Sequence, residues 1–241
     1  MKRLALVLSL LIGLSTPAGA EMYGPIAGTL HRSGTGPLVL IVHGDSGADY
    51  ISGFAKQVAQ ANPNATVIQM ARPGYILNGE RSKGSNSGLR DHYTKKNNKL
   101  LAQGFAAAAQ TYPHDQVIAV GHSGGANQIG VIVATDPGLI DTAIMVSGAF
   151  DIARWRSLRG SPWPQSQSAS RYLKSVPPQT RLIAATGSGD SNTLPSFAKQ
   201  YVKKAQAKGL NATYIELPGG NHGFRTIHDQ VLDLVNREIR N

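Results

Sequence analysis

Ser123 is the residue of this chain best placed to do chemistry. It sits in Gly121-His122-Ser123-Gly124-Gly125, the single G-x-S-x-G match in the 241 residues. The apolar run Val117 to Val120 leads into it. Ala126, Ile129, Gly130 and Val133 follow at the i, i+3, i+4, i+7 spacing of one helix face. This order predicts strand, sharp turn and helix, with the serine exposed at the apex as a nucleophile requires. Glycines suit such a turn because side chains there would collide with the adjoining strand and helix. The same residues also fit a tightly packed glycine turn with no chemistry, so the reading depends on what else reaches the serine.

A serine hydroxyl is a weak nucleophile. It needs a base within hydrogen-bond reach, a carboxylate to orient that base, and backbone donors for the oxyanion. Polar residues of these types gather after apolar runs. His43-Gly44-Asp45 follows Leu38 to Val42, and Arg72-Pro73-Gly74-Tyr75 follows Thr66 to Ala71. Gly189-Asp190 follows Arg181 to Thr186, and Gly219-Gly220-Asn221-His222 follows Thr213 to Leu217. If the runs are strands, these are their carboxyl ends, where open α/β sheets build their sites.

The runs do read as strands. Most are apolar throughout, as strands buried on both faces are, and they alternate with helical patterns over Tyr50 to Ala61, Leu100 to Tyr112, Pro195 to Lys208 and His222 to Arg240. A weaker strand is expected over Ile26 to His31. The expected fold is α/β, a mostly parallel central sheet with helices on both faces. Two stretches do not fit that alternation. Ile76 to Asn98 is a long polar stretch, and Ala149 to Pro178 holds both tryptophans, Trp155 and Trp163, and reads as a cap-like excursion at about 150–178.

At this point the chain resembles the α/β-hydrolase superfamily, in particular its secreted serine esterase and peptidase-like branches. The resemblance rests on Gly121-His122-Ser123-Gly124-Gly125, on His43-Gly44-Asp45, on Arg72-Pro73-Gly74-Tyr75, and on Asp190 and His222 following in that order. It covers nearly all of Ile26 to Arg240. It implies Ser123 as nucleophile, His222 as base, and Asp190 as orienting carboxylate, with Asp151 as the rival acid. It implies oxyanion donors from the backbone N–H of Gly124 and of Asp45, Ser46 being the alternative, and it requires no cofactor. His43 is expected to brace the oxyanion loop, and His122 to point away from the serine. His31, His92, His114 and His228 are read as solvated or structural. The implied activity is cleavage of carboxylic esters or related acyl bonds, with peptidase or amidase action and a non-catalytic binding role as the alternatives.

Composition narrows the context. Lys2 and Arg3, the apolar run Leu4 to Leu14 and Ala18-Gly19-Ala20 have the three-part pattern of a secretory signal over residues 1–20, which predicts an exported chain with one catalytic domain over 21–241. No other segment is apolar for long enough to span a bilayer. Without cysteine there is no disulfide, thiolate site or cysteine nucleophile. No metal-ligand spacing is present. The formal charge is +10, and two stretches hold the excess of the mature chain: net +5 over Arg72 to Lys99 and net +4 over Asp151 to Lys174. Both follow strand ends, so they are expected over the active-site face, where they would favour an anionic small-molecule substrate. No nucleic-acid motif accompanies the charge.

Overall fold

The computed structural model of the chain describes residues 19–241, so nearly all of the expected leader lies outside the described residues. Glu21–Tyr23 (β1) and Ile26–Arg32 (β2) pair antiparallel at one edge of the sheet. Next come Leu38–Val42 (β3), helix Ser52–Ala61 (α1) and Thr66–Met70 (β4). A small hairpin, Ile76–Leu77 (β5) with Glu80–Arg81 (β6), precedes helix Lys95–Thr111 (α2). The elbow joins Val117–His122 (β7) to helix Gly124–Thr135 (α3). Thr142–Val146 (β8), helix Ile152–Ser157 (α4), Arg181–Gly187 (β9), helix Pro195–Gln206 (α5), Ala212–Leu217 (β10) and helix His228–Arg240 (α6) complete the chain.

The 8-stranded sheet has the order β1-β2-β4-β3-β7-β8-β9-β10. From β4 through β10 in that order every pairing is parallel, whereas β2 meets β4 antiparallel. Strand alternation separates two cores. Leu38, Leu40 and Val42 pack with Phe105 of α2, Ile129 of α3 and Tyr201 of α5. Val39 and Ile41 face the other way, onto Phe54 of α1 and Val231 and Leu234 of α6. Helices on both faces explain why the central strands carry no polar face.

The two stretches that broke the expected alternation hold each other. The Asp91 carboxylate accepts the Gln165 N–H at 3.0 Å and the Ser166 N–H at 2.8 Å, and the Tyr93 carbonyl accepts the Gln167 N–H at 3.0 Å. Ile152, Trp155, Ala169 and Leu173 are buried in the larger core, so residues 150–178 pack into the body of the fold rather than standing off it. Helix α2 begins five residues before the expected start because the Thr94 hydroxyl caps it, accepting the Asn97 N–H at 3.2 Å. The expected helix from His222 begins at His228, after a single turn over Phe224–Thr226.

Candidate active site

The elbow forms where β7 runs out against α3. Ser123 is held at φ 53°, ψ −115°, a conformation that side chains disfavour and that persists only where the surroundings enforce it. Its N–H donates to the Val146 carbonyl at 2.8 Å, which pins the turn to β8. Gly125 is required by proximity: a Cβ there would lie 2.6 Å from the His43 carbonyl oxygen. The elbow is therefore pressed against the end of β3, which brings the His43-Gly44-Asp45 loop beside Ser123.

His222 approaches from the turn after β10. Its Nε2 is 3.1 Å from Ser123 Oγ, and its Nδ1 is 3.0 Å from Asp190 Oδ2. Asp190, which follows β9, is fully buried on its side chain, while the His222 ring is 25% exposed. The Asp190 carboxylate also accepts the N–H of Asn192 at 2.9 Å and of Thr193 at 2.8 Å, and the Thr193 hydroxyl at 2.9 Å. Burial pushes its pKa up, but the hydrogen bond and charge of His222 and the Thr193 donors outweigh burial and hold it below the ordinary carboxylate value. An ionised Asp190 keeps the proton of His222 on Nδ1 and leaves Nε2 free to accept from the serine. Thr193 Oγ1 lies 3.1 Å from the same Nδ1 and 2.8 Å from the Ser147 carbonyl. Its one proton serves an acceptor, leaving a lone pair towards the imidazole.

The rival Asp151 has another task. It caps α4, its carboxylate accepting the Arg154 N–H at 3.2 Å.

The other side of Ser123 is built on a buried cation. Arg72, at the end of β4, is fully buried. Its Nη1 donates to Asp45 Oδ1 at 2.7 Å and its Nε to Gln128 Oε1 at 2.6 Å, and its backbone N–H donates to His43 Nε2 at 2.9 Å. Tyr93 donates to Asp45 Oδ2 at 2.7 Å. Burial alone would raise the Asp45 pKa; the Arg72 charge and the bonds from His92 and Arg72 overcome it and hold the carboxyl far below the usual range. The ionised side chain is thus tied to Arg72 and Tyr93. The backbone N–H of Asp45 has no partner among the described residues, and Gly124 opens α3, where the first N–H groups have no intrahelical acceptor.

His43 braces this loop as its position implied. Because Nε2 must accept from Arg72, Nδ1 carries the proton and donates to the Gly44 carbonyl at 2.6 Å. Burial, then the nearby Arg72 charge, pushes its pKa down to about 3, so the ring is neutral.

A second chain of bonds links the two sides. The Gly44 N–H donates to the Tyr50 hydroxyl at 2.5 Å, and Tyr50 contacts His122 Nδ1 at 2.7 Å. His122 Nε2 contacts the His222 carbonyl at 3.1 Å. A backbone N–H can only donate and a carbonyl can only accept, so every proton between them is assigned: Tyr50 donates to Nδ1, and Nε2–H donates to His222. His122 is turned towards Tyr50 and the His222 carbonyl, and it ties the His43-Gly44-Asp45 loop to the loop of His222. Burial, then the charge of His222, lowers its pKa to about 3.

Ser123 opens into a cleft of about 780 Å³, within the usual range for small-molecule sites. Tyr50, Phe54 and Phe224 form an aromatic wall, Phe54 meeting Phe224 edge-on at 5.0 Å. The basic stretches do not supply this lining. Among the described residues Arg225 is its one arginine, with Asp45 and Asp229 in the same lining, and no lysine lines it. Arg72, counted with the loop charges, is buried against Asp45, while Lys95 and Lys99 flank a separate depression near Thr135 and Asp136. The expected preference for an anionic substrate therefore has no support in the cleft.

The structure thus brings together Ser123, His222, Asp190, Gly124 and Asp45. Sequence reasoning missed Thr193, Tyr50, Gln128 and Tyr93, read His92 as solvated or structural, and took Arg72 only as part of the polar strand end Arg72-Pro73-Gly74-Tyr75 and of the basic stretch. Arg72 carried a faint signal, an arginine just past the mostly apolar run Thr66 to Ala71. The other five had none, because each meets polar partners distant in the sequence.

An 8-stranded, mostly parallel sheet with flanking helices and a strand–elbow–helix at its centre defines a hydrolase of the α/β-hydrolase superfamily. Residues 99–240 match the prolyl oligopeptidase family, and the chain belongs to that family. Solved structures share the fold at low identity. Est1E from Butyrivibrio proteoclasticus superposes with TM-score 0.65 at 14% identity, over 92% of this chain and 98% of that one. The esterase Pf2001 from Pyrococcus furiosus gives 0.68 at 13%, over 89% and 87%. A putative dienelactone hydrolase from Klebsiella pneumoniae gives 0.69 at 13%, over 92% and 96%. No curated protein matches the chain. Among the described residues no helix is long and apolar enough to cross a membrane.

Proposed function

We propose that the protein is an exported serine hydrolase that cleaves carboxylic esters through an acyl-enzyme on Ser123. The observation that carries this is a single line of contacts, Ser123 Oγ to His222 Nε2 at 3.1 Å and His222 Nδ1 to buried Asp190 at 3.0 Å. Ser123 Oγ attacks the substrate carbonyl as its proton passes to Nε2. The oxyanion is received by the N–H groups of Gly124 and Asp45, each such donor being worth about 3 kcal/mol of barrier. The imidazolium, held by Asp190, then protonates the departing alkoxide. Water then attacks the acyl carbon as it gives a proton to Nε2, and the acid leaves as Nε2 returns that proton to Ser123 Oγ. Thr193 shares the orienting of Nδ1 with Asp190.

Esters are the first substrate class because Pf2001, which shares the fold, is named as an esterase, and a putative dienelactone hydrolase shares it too. The prolyl oligopeptidase family match supports amide cleavage as a second reading. Matched p-nitrophenyl acetate and p-nitroacetanilide separate the two. The expected result is ester turnover far above amide turnover, both lost in Ser123→Ala; equal turnover of the ester by Ser123→Ala would end the proposal. Export rests on the leader pattern of residues 1–20. It is tested by sequencing the N-terminus of the mature protein, expected at Glu21.

A further inference from the structure

Two cavities of very different size meet at Ser123. One is the aromatic cleft of about 780 Å³, lined by His222, Phe224 and Tyr50. The other, of about 10 Å³, lies between Gly124, Tyr93, Asn127, Ala149, Trp155 and Thr193. That is about the space of one water molecule or one methyl group. Ser123 and Trp155 line both.

Proton transfer decides which half of a substrate goes where. When the tetrahedral intermediate collapses, the bond from the carbonyl carbon to the alcohol oxygen breaks, and that oxygen takes the proton from His222 Nε2. It must therefore lie within hydrogen-bond reach of His222. His222 lines the large cleft and not the small one. The alcohol thus occupies the large cleft, and the acyl substituent, on the opposite side of the carbonyl carbon, faces the small cavity.

The walls of the small cavity are held in place. Tyr93 is bonded to Asp45 at 2.7 Å, Asn127 to the Gln167 carbonyl at 2.9 Å, and Trp155 Nε1 to the Asn192 carbonyl at 3.1 Å. Ala149 is buried, and Thr193 is tied to Ser147 and Asp190. Room for a longer chain would require breaking one of these bonds.

We propose that the enzyme selects short acyl groups, acetyl above all, carried on a large ring-bearing alcohol. This inference rests on the Ser123 acyl-enzyme proposed above. The reacting step forms the bond from Ser123 Oγ to the acetyl carbon, releases the alcohol with the proton from His222, and returns acetate after hydrolysis. In the large cleft, Tyr50, Phe54 and Phe224 line the space that the alcohol would fill.

The test is kcat/KM of the purified protein for p-nitrophenyl acetate, butyrate and octanoate, which share one leaving group. The expected result is a drop of at least about tenfold from acetate to butyrate, with a further drop to octanoate. Phenyl and 2-naphthyl acetate, whose leaving groups are of similar acidity, test the other half; the naphthyl ester is expected to be the better substrate. Trp155→Ala removes one wall and should narrow the acetate-to-octanoate gap, while Ala149→Val fills the remaining space and should lower acetate turnover. Octanoate cleaved as well as acetate by the unaltered protein overturns the inference and leaves the serine hydrolase reading standing. Absence of turnover with every ester overturns both.

Discussion

Two ion pairs flank Ser123, and they are built in opposite senses. In the Arg72–Asp45 pair the cation is buried, with its side chain 1% exposed, and the carboxylate is 28% exposed. In the His222–Asp190 pair the carboxylate is fully buried and the imidazole is 25% exposed. Each pair buries the member whose charge stays fixed. Arginine holds its proton throughout, so Arg72 can sit in the core as a brace for the Asp45 loop. Under the proposed mechanism His222 gains and loses a proton in every turnover, so it stays at the cleft wall while Asp190 is locked behind it. The bonded path Gly44–Tyr50–His122–His222 joins the two sides, so the Asp45 loop and His222 share one framework.

The comparison can be broken from either side. Asp190→Asn keeps the size of the side chain but favours the wrong tautomer of His222; a fall of about 10⁴-fold in kcat is expected. A variant within tenfold of the parent would show that Asp190 does not orient the base. Arg72→Met acts on the brace. It leaves a largely enclosed Asp45 carboxylate without its counter-ion, and a loss of about 3 kcal/mol or more is expected in urea unfolding. Adding Asp45→Asn should recover part of that loss, because the uncompensated charge is then gone. No recovery would mean that the pair does not carry the effect.

Acid probes the buried rings of the framework. Folded His43 and His122 stay neutral down to about 3, whereas in the unfolded chain they charge near about 6.5. Between those values the unfolded chain binds the extra protons, so stability falls as pH falls, by up to about 1.4 kcal/mol per pH unit for each ring. The depressed Asp190 acts in the same direction at lower pH: its contribution is present above the ordinary carboxylate value and is lost as pH falls through its folded value. Urea midpoints measured from pH 7 to 4 should drop steadily, and His122→Asn should shallow the slope. A flat profile would contradict neutral burial of the two rings. The smallest effect is expected at the rival acid: Asp151→Ala removes the α4 cap, lowering stability by about 1 kcal/mol with kcat/KM unchanged.

What was legible in the sequence follows from the same physics. The central strands could be read because burial on both faces leaves an unbroken apolar run, as in Leu38 to Val42. The polar ends of those runs then pointed to Ser123, Asp45, Asp190 and His222. The stretch Ile76 to Asn98 could not be read, because its structure is made by polar side chains turned inward. Asn97 Nδ2 bonds the carbonyls of Ser85 and His92 at 2.7 Å each, and composition alone cannot distinguish such an asparagine from a solvated one. Arg72 misled for a related reason. A formal charge counts an arginine as surface, and only the fold reveals Asp45 and Gln128 beside it.

The central claim is that Ser123 becomes covalently acylated with the help of His222 and Asp190. A fluorophosphonate probe followed by peptide mass mapping tests it most directly. One adduct on the peptide bearing Ser123 is expected, absent in Ser123→Ala and formed far more slowly in Asp190→Asn. An adduct on another residue, or equal labelling of Ser123→Ala, would contradict the account.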